Sequence, residues 1–185
     1  LFKFHGPIVA GQFGMTWSVV GVLGAISTSW LSPRVPQLAM LIAQKRYNDL
    51  DKLFWKITKI VIGISVILAF IIWVSVYLIN IIGHPLCIRL AHRLLSPSTT
   101  GLLLAAQVLL ISSFPFSTYL RAHKKEPIMI PSMVSALMVA ISTLLLGKYY
   151  SARGVALGYL ITHVIVIPFV FIIWHRKRAE WHKIN

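Results

Sequence analysis

Long apolar runs separated by short charged turns dominate the hydrophobic pattern of this chain. Five runs reach the length of about 20 residues that a membrane-spanning helix needs; they cover residues 7–31, 60–82, 102–120, 128–147 and 155–174. None shows the alternating ten-residue pattern of a transmembrane β-strand. Because backbone groups in lipid must bond within their own segment, the runs predict helices. We therefore predict an all-α fold, a polytopic transmembrane bundle of five spanning helices in a single region, 1–185.

Shorter amphipathic segments are predicted at the two membrane interfaces. One covers 36–46, before the second span. The other lies in the stretch HPLCIRLAHRLL, where leucines occupy one helical face and Arg89, His92 and Arg93 the other. We expect this second helix to lie flat at the outer interface, where its cations could contact an anion or lipid headgroups.

The second span is predicted to begin well before its charge-free core. Asn48 has the side chain of a helix N-cap, and a helix over 49–82 would follow it. Apolar residues repeat along one face of this helix with a helical period, which predicts that this face is buried. They are Leu50, Leu53, Phe54, Ile57 and Val61.

Small residues form a stripe along the first span. The stripe contains Ala10, Gly14, Ser18, Gly21, Ala25 and Thr28. Such spacing lets two helices approach closely. The stripe therefore predicts a helix-packing face, which could be static or could slide during transport.

Composition supports a membrane protein and argues against nucleic-acid binding. Hydrophobic residues make up 57% of the chain and charged residues 12%, with 18 Lys and Arg against 4 Asp and Glu. A soluble domain could not cover that much apolar surface with so few polar side chains. Nucleic-acid binding needs a basic face on a water-exposed fold. Here the basic residues flank the apolar runs, as in membrane loops.

The placement of Lys and Arg predicts the orientation. With five spans, thirteen of the 18 basic residues fall on one side of the membrane, together with all four acids. That side is expected to be cytoplasmic, in a bacterial inner membrane, with the N-terminus outside and the C-terminus inside. An outside N-terminus without a signal peptide predicts the C-terminal portion of a larger transporter. The main topology-determining residues are Arg121, Lys124, Lys125, Arg176, Lys177 and Arg178.

The turn YLRAHKKEP concentrates charge between two spans, and we interpret it as a topology determinant rather than a substrate contact. Pro127 is predicted to start the following helix.

Few polar residues lie within the spans. None is Asp, Glu, Lys or Arg, so the spans offer no carboxylate for a coupling cation. Gln12, Gln107 and His163 are costly in lipid and should face a helix interface or a watery cavity. Together with Ser113 they are the predicted lining of a substrate cavity. For His163 a structural hydrogen bond is an alternative to a functional role.

No enzyme signature is present. The chain contains no GxSxG, no HExxH, no phosphate loop and no paired carboxylates. Its one cysteine, Cys87, can form no intrachain disulfide and belongs to no zinc-binding pattern. We therefore expect no enzymatic activity, no cofactor and no metal. A membrane transferase that uses His163 is a third possibility, which predicts that a His163→Ala variant loses activity.

Three stretches carry a resemblance to a known family. GPIVAGQFGMTWSVVGVLGAISTSWLSPRVPQLAMLIAQKRYNDLDKLFWKI resembles a helix that ends in a cytoplasmic Pro-containing segment, a short helix and the next long helix. YLRAHKKEP resembles a basic turn, and GKYYSARGVALGYLITHVI a glycine-rich helix entry. Together they resemble polysaccharide-type flippases of the multidrug/oligosaccharidyl-lipid/polysaccharide exporter superfamily.

The resemblance implies that this chain corresponds to helices eight to twelve of a twelve-helix transporter, whose N-terminal half would be a partner. It implies that lipid-linked oligosaccharide or polysaccharide precursors are flipped by alternating access, through a cavity between the halves. Many members have cationic cavity residues, which the spans of this chain lack. A multidrug-type exporter and a non-transporting membrane scaffold or assembly subunit are the alternatives.

Overall fold

The computed structural model describes residues 1–82, 84–123 and 127–183, and within these ranges every regular element is helical. The elements are α1 (Phe2–Ser29), a 3-10 turn (Ser32–Arg34), α2 (Val35–Ala43), α3 (Tyr47–Ile81), α4 (Pro85–Ala91), α5 (Pro97–Ala122) and α6 (Met129–Lys183). Four helices are long and apolar enough to cross a membrane: α1 with α2, α3, α5 and α6. The predicted all-α helical bundle is confirmed.

α1 bends at Gly6, which takes a φ of 82° that glycine tolerates and other residues rarely adopt. Pro7 follows the bend, where its missing N–H costs little at the start of the long helical arm. The buried side of this arm is a stripe at helical spacing, formed by Thr16, Val20, Leu23 and Ser27. The bend therefore separates a short N-terminal turn from the predicted first span.

The small-residue stripe of α1 does not face this bundle. Ser18, Gly14, Gly21 and Ala25 are exposed, and a Cβ at either glycine would have no heavy atom within 4 Å. The expectation that this stripe packs closely is wrong for the contacts within this chain. Its helix packs instead through the stripe that begins at Thr16, whose hydroxyl accepts a 3.0 Å hydrogen bond from the Leu95 amide.

α3 buries the apolar face that its sequence predicts. Leu50, Phe54, Ile57 and Val61 are each at most 6% exposed. The predicted Asn48 cap is wrong, because the backbone already enters helical geometry after Arg46 and no side chain caps the helix. The preceding interfacial helix is also shorter than predicted: α2 ends at Ala43, before Lys45 turns the chain with a φ of 55°.

α4 is a short helix that leaves its leucines exposed. Leu86 and Leu90 are 61% and 40% exposed, whereas Leu94 lies beyond the helix and is buried. His84 caps the helix, because its Nδ1 accepts a 3.4 Å hydrogen bond from the Leu86 amide. The outer segment is therefore a seven-residue helix followed by a turn that buries Leu94, rather than the longer amphipathic helix that the sequence predicts.

α5 lies at the centre of the bundle and contacts α1, α2, α3 and α6. Leu103, Ala106 and Ile111 are fully buried on it. Its helical geometry continues through Pro115. The breaks in helical geometry of α1 and α6 lie at Gly6 and Ser151.

α6 is a hairpin of two helical arms that reverses at Ser151, whose φ of 57° and ψ of −149° are not helical. A Cβ at Gly158 would lie 2.7 Å from the Ser142 Cβ. Residues sixteen positions apart would be about 24 Å apart in a straight helix. The first arm (129–150) and the second arm (152–183) therefore run antiparallel and correspond to the fourth and fifth predicted spans. The first arm begins at Met129, two residues after the predicted start at Pro127.

The reversal at Ser151 makes the orientation testable. Reporters fused at His123 and at Ser151 are expected to report opposite sides of the membrane, because the first arm of α6 separates the two positions. The measurement is the paired activity of a cytoplasmic and an extracytoplasmic reporter at each site. Reporters that place both positions on one side would contradict a spanning first arm.

Candidate functional site

A polar chain links α5 to the second arm of α6 at the middle of the bundle. The Tyr159 hydroxyl donates a 3.3 Å hydrogen bond to Gln107 Oε1, and His163 Nδ1 lies 2.8 Å from the Tyr159 carbonyl oxygen. The Tyr159 and His163 rings meet edge to face, with centroids 4.4 Å apart. Gln107 is 9% exposed and His163 5%. Two of the predicted cavity residues are thus buried and joined through one tyrosine.

From His163 the polar side chains continue into a cleft between α5 and the first arm of α6. The cleft has a volume of about 290 Å³ and extends into an adjoining space of about 320 Å³ at the end of the bundle that carries Arg121. We call it the serine cleft. Its polar lining consists of Ser113, Ser117, Arg121, Ser132, Ser135 and His163.

The serine cleft can accept hydrogen bonds and can also meet a negative charge. The Ser113 and Ser117 hydroxyls donate to backbone oxygens one turn earlier, at 2.7 and 3.2 Å, so their remaining lone pairs can serve as acceptors. Arg121 lines both parts of the cleft and supplies a permanent positive charge near its mouth. A polar headgroup could therefore enter an otherwise apolar bundle here.

The predicted cavity residues are only partly brought together. Ser113 and His163 line the serine cleft, and Gln107 joins them through Tyr159. Gln12 is not among the lining residues, and its side-chain amide donates a 2.9 Å hydrogen bond to the carbonyl oxygen of His92. Gln12 therefore ties α1 to the loop after α4.

The outer cations form an exposed group. Arg89, His92 and Arg93 are all exposed, as expected for side chains at an interface. Arg89 lies in the last turn of α4, where a cation is favoured by the helix dipole. The contact of these three side chains with an anion or with lipid headgroups stays a prediction.

The topology-determining cations differ in their surroundings. Lys124 and Lys125 lie outside the described residues. Lys177 pairs with Glu180 at 2.6 Å on the same helix, while Arg176 is exposed. Arg178 holds Asp51 of α3 with a two-pronged contact, in which its Nε donates to Oδ1 at 3.0 Å and its Nη2 donates to Oδ2.

An aromatic cluster surrounds this ion pair. Phe54 and Trp174 stack with centroids 5.1 Å apart, and Phe116, Tyr119 and Phe171 meet one or both of these rings at 5.1–5.9 Å. The Arg178 guanidinium lies 5.4 Å from the Trp174 ring centroid, within the range of a cation–π contact. The cluster joins α3, α5 and the second arm of α6 at one end of the bundle.

Sequence reasoning missed four of the six polar residues that line the serine cleft. It named Ser113 and His163 but assigned Arg121 to topology alone. The spacing of the serines could have identified them. Ser113 and Ser117 are four residues apart and Ser132 and Ser135 three apart, which gives each of two consecutive helices a polar stripe.

The described side chains hold no group of three or more His, Cys, Asp or Glu that could bind a metal ion. No protein-family model, curated protein or solved structure matches the chain. The resemblance to polysaccharide-type flippases therefore stays a prediction, which depends on the loop stretches quoted above.

Proposed function

We propose that this chain is part of an integral membrane exporter that moves a lipid-linked oligosaccharide or polysaccharide precursor across the bilayer. The observation that carries the proposal is the serine cleft, whose lining combines four serines, Arg121 and His163 with apolar side chains, between helices that are otherwise apolar. A headgroup rich in hydroxyls and carrying negative charge matches that lining, and the lipid portion could stay among the exposed apolar side chains outside.

The position of the serine cleft supports movement rather than static binding. Arg121 lies in the last turn of α5, and His163 lies near the middle of the second arm of α6. The cleft thus extends from one end of the bundle to about half its depth. A headgroup that enters beside Arg121 and reaches His163 would have crossed about half of the bundle. Rocking of the helices around the cleft would then complete the transfer.

A steric block of the serine cleft tests the proposal. A Ser135→Leu variant is expected to lower the initial rate at which a fluorescent lipid-linked oligosaccharide changes leaflets in vesicles that contain the full protein. The added isobutyl group would fill space that the headgroup needs. The rate is measured by a membrane-impermeant quencher added outside the vesicles.

Ser75→Leu is the matched control, because Ser75 is exposed on α3 and its hydroxyl bonds only the Ile71 carbonyl, at 2.8 Å. It should transport at the unmodified rate. Two results would refute the proposal and favour a non-transporting scaffold. One is equal transport by the Ser135→Leu variant and the unmodified protein. The other is transport by the unmodified protein that does not exceed the rate in protein-free vesicles.

A further inference from the structure

A small notch lies between α1, the 3-10 turn and α3, at the end of the bundle that also carries α2. It has a volume of about 60 Å³. Its lining includes two cations, Arg34 and Lys56, and the exposed indole of Trp30. The other lining side chains are apolar. They are Leu53, Ile57 and Ile60.

The notch belongs to a larger basic surface. Lys52, Lys56 and Lys59 follow one another at helical spacing on α3, and all three are exposed. Arg34 makes a 3.2 Å hydrogen bond to the neutral Gln37 side chain. The notch is therefore the place where this cationic stripe meets apolar side chains.

The acids whose positions the structure describes are engaged elsewhere. Asp49 binds Arg46 at 2.6 Å, Asp51 binds Arg178, and Glu180 binds Lys177. None of these carboxylates lies within ion-pair distance of Arg34, Lys52, Lys56 or Lys59. Among the described residues the basic surface thus lacks a protein counter-ion, and an external anion would supply one.

We propose that the notch binds the phosphate of an anionic phospholipid from the leaflet on this side. Arg34 and Lys56 would hold the phosphate, and Trp30 would lie at the headgroup level where tryptophan is favoured. The acyl chains would continue along the exposed Ile60 into the charge-free part of α3. This site is separate from the serine cleft, which lies between α5 and α6, and it does not depend on the proposed transport function.

The apolar part of the notch lining favours a phospholipid over a free phosphate as the bound molecule. A soluble phosphate would gain only the two cations, whereas a phospholipid would also cover exposed apolar surface at Trp30 and Ile60. Lys148 and Arg153 provide a contrast, because these two exposed cations flank the reversal at Ser151 and line neither the notch nor the serine cleft.

Native mass spectrometry of the protein in a neutral detergent can measure the affinity for phosphatidylglycerol. The double variant Arg34→Gln/Lys56→Gln is expected to bind the first phosphatidylglycerol about 30-fold more weakly, since each lost cation costs about fivefold. The matched variant Lys148→Gln/Arg153→Gln loses the same charge at two exposed positions and should bind as the unmodified protein does. Phosphatidylcholine should bind the unmodified protein more weakly than phosphatidylglycerol.

Glycerol phosphate, added as a competitor, is expected not to displace the lipid. Displacement at equal concentration would instead identify a site for soluble phosphate and overturn the proposal. Equal affinity for phosphatidylcholine, or unchanged affinity in the Arg34/Lys56 variant, would overturn it as well. Thermal unfolding without lipid verifies that the variants are folded. If the first variant is not folded, Lys52→Gln/Lys56→Gln tests the same stripe and should also weaken binding.

Discussion

Replacing Gly154 with alanine is expected to destabilise the chain by about 3 kcal/mol or more, because a new methyl group would meet backbone rather than a movable side chain. A Cβ at Gly154 would lie 2.1 Å from the Leu146 carbonyl oxygen and 2.8 Å from the Tyr150 Cβ. The arms of the α6 hairpin could not stay this close near Ser151. Unfolding with increasing SDS in mixed micelles, followed by tryptophan fluorescence, measures the loss.

Gly63→Ala is the matched control for this change. Gly63 lies within α3, and a Cβ there would have no heavy atom within 4 Å. Alanine is favoured over glycine inside a helix by about 1 kcal/mol, so this variant should be as stable as the unmodified chain or more so. If the two variants had equal stability, the close approach at Gly154 would not exist.

Gly158→Ala separates a side-chain clash from a backbone clash. The nearest atoms to a Cβ there are the Cβ and Oγ of Ser142, at 2.7 and 2.8 Å. Removing them with Ser142→Gly should recover part of the stability lost at Gly158. No single side-chain deletion should rescue Gly154→Ala, because its nearest contact is a carbonyl oxygen.

Replacing Asp51 with asparagine is expected to lower the free energy of unfolding by about 1–3 kcal/mol, since a charged hydrogen-bond acceptor is lost from a half-buried pair. The side chains of Arg178 and Asp51 are 30% and 19% exposed, so solvent screens them less than a surface pair. Arg178 would stay beside the aromatic cluster without its carboxylate. The same SDS titration measures the change.

The pair of Arg46 and Asp49 gives the matched control. Its side chains are 60% and 42% exposed, and exposed pairs contribute about 0–1 kcal/mol. Asp49→Asn should therefore change stability little. In a double-mutant cycle, Arg178→Gln should cost much less in the Asp51→Asn background than alone. Equal losses for Asp49→Asn and Asp51→Asn, or additive losses in the cycle, would show that the inter-helix pair does not stabilise the bundle.

The helical segments could be predicted because the signal is local. A charge-free run long enough to cross a bilayer has few other solutions, and the apolar repeat of Leu50, Phe54 and Ile57 identifies a buried face without knowledge of its partner. The reversal at Ser151 lies between the last two predicted spans, 128–147 and 155–174, for the same reason. These features depend on neighbours within a few turns of helix.

Features that join distant residues could not be predicted from the sequence alone. Asp51 and Arg178 are 127 positions apart, and nothing in either segment specifies the other. The serine cleft likewise depends on the rotation of two helices about their own axes. The small residues of α1 show the limit most clearly: spacing indicates that a helix can be approached closely, but not where. In this chain close approaches occur at Gly24, beside the Gln107 amide, and at Gly154 and Gly158 in the α6 hairpin.

The aromatic cluster makes the two ends of the bundle mechanically unequal. Five stacked or edge-to-face rings and the ion pair of Asp51 and Arg178 fasten one end, whereas the arms near Ser151 are held by close contacts of small residues, such as Gly158 against Ser142, and by a hydrogen bond from His5 to the Gly147 carbonyl, at 2.8 Å. A tilt of the second arm about Trp174 would therefore move the first arm with it, because the two arms touch at Gly154 and Gly158. The 23 residues from Trp174 to Ser151 span about 34 Å, so a tilt of about 10° would displace the far tip by about 6 Å.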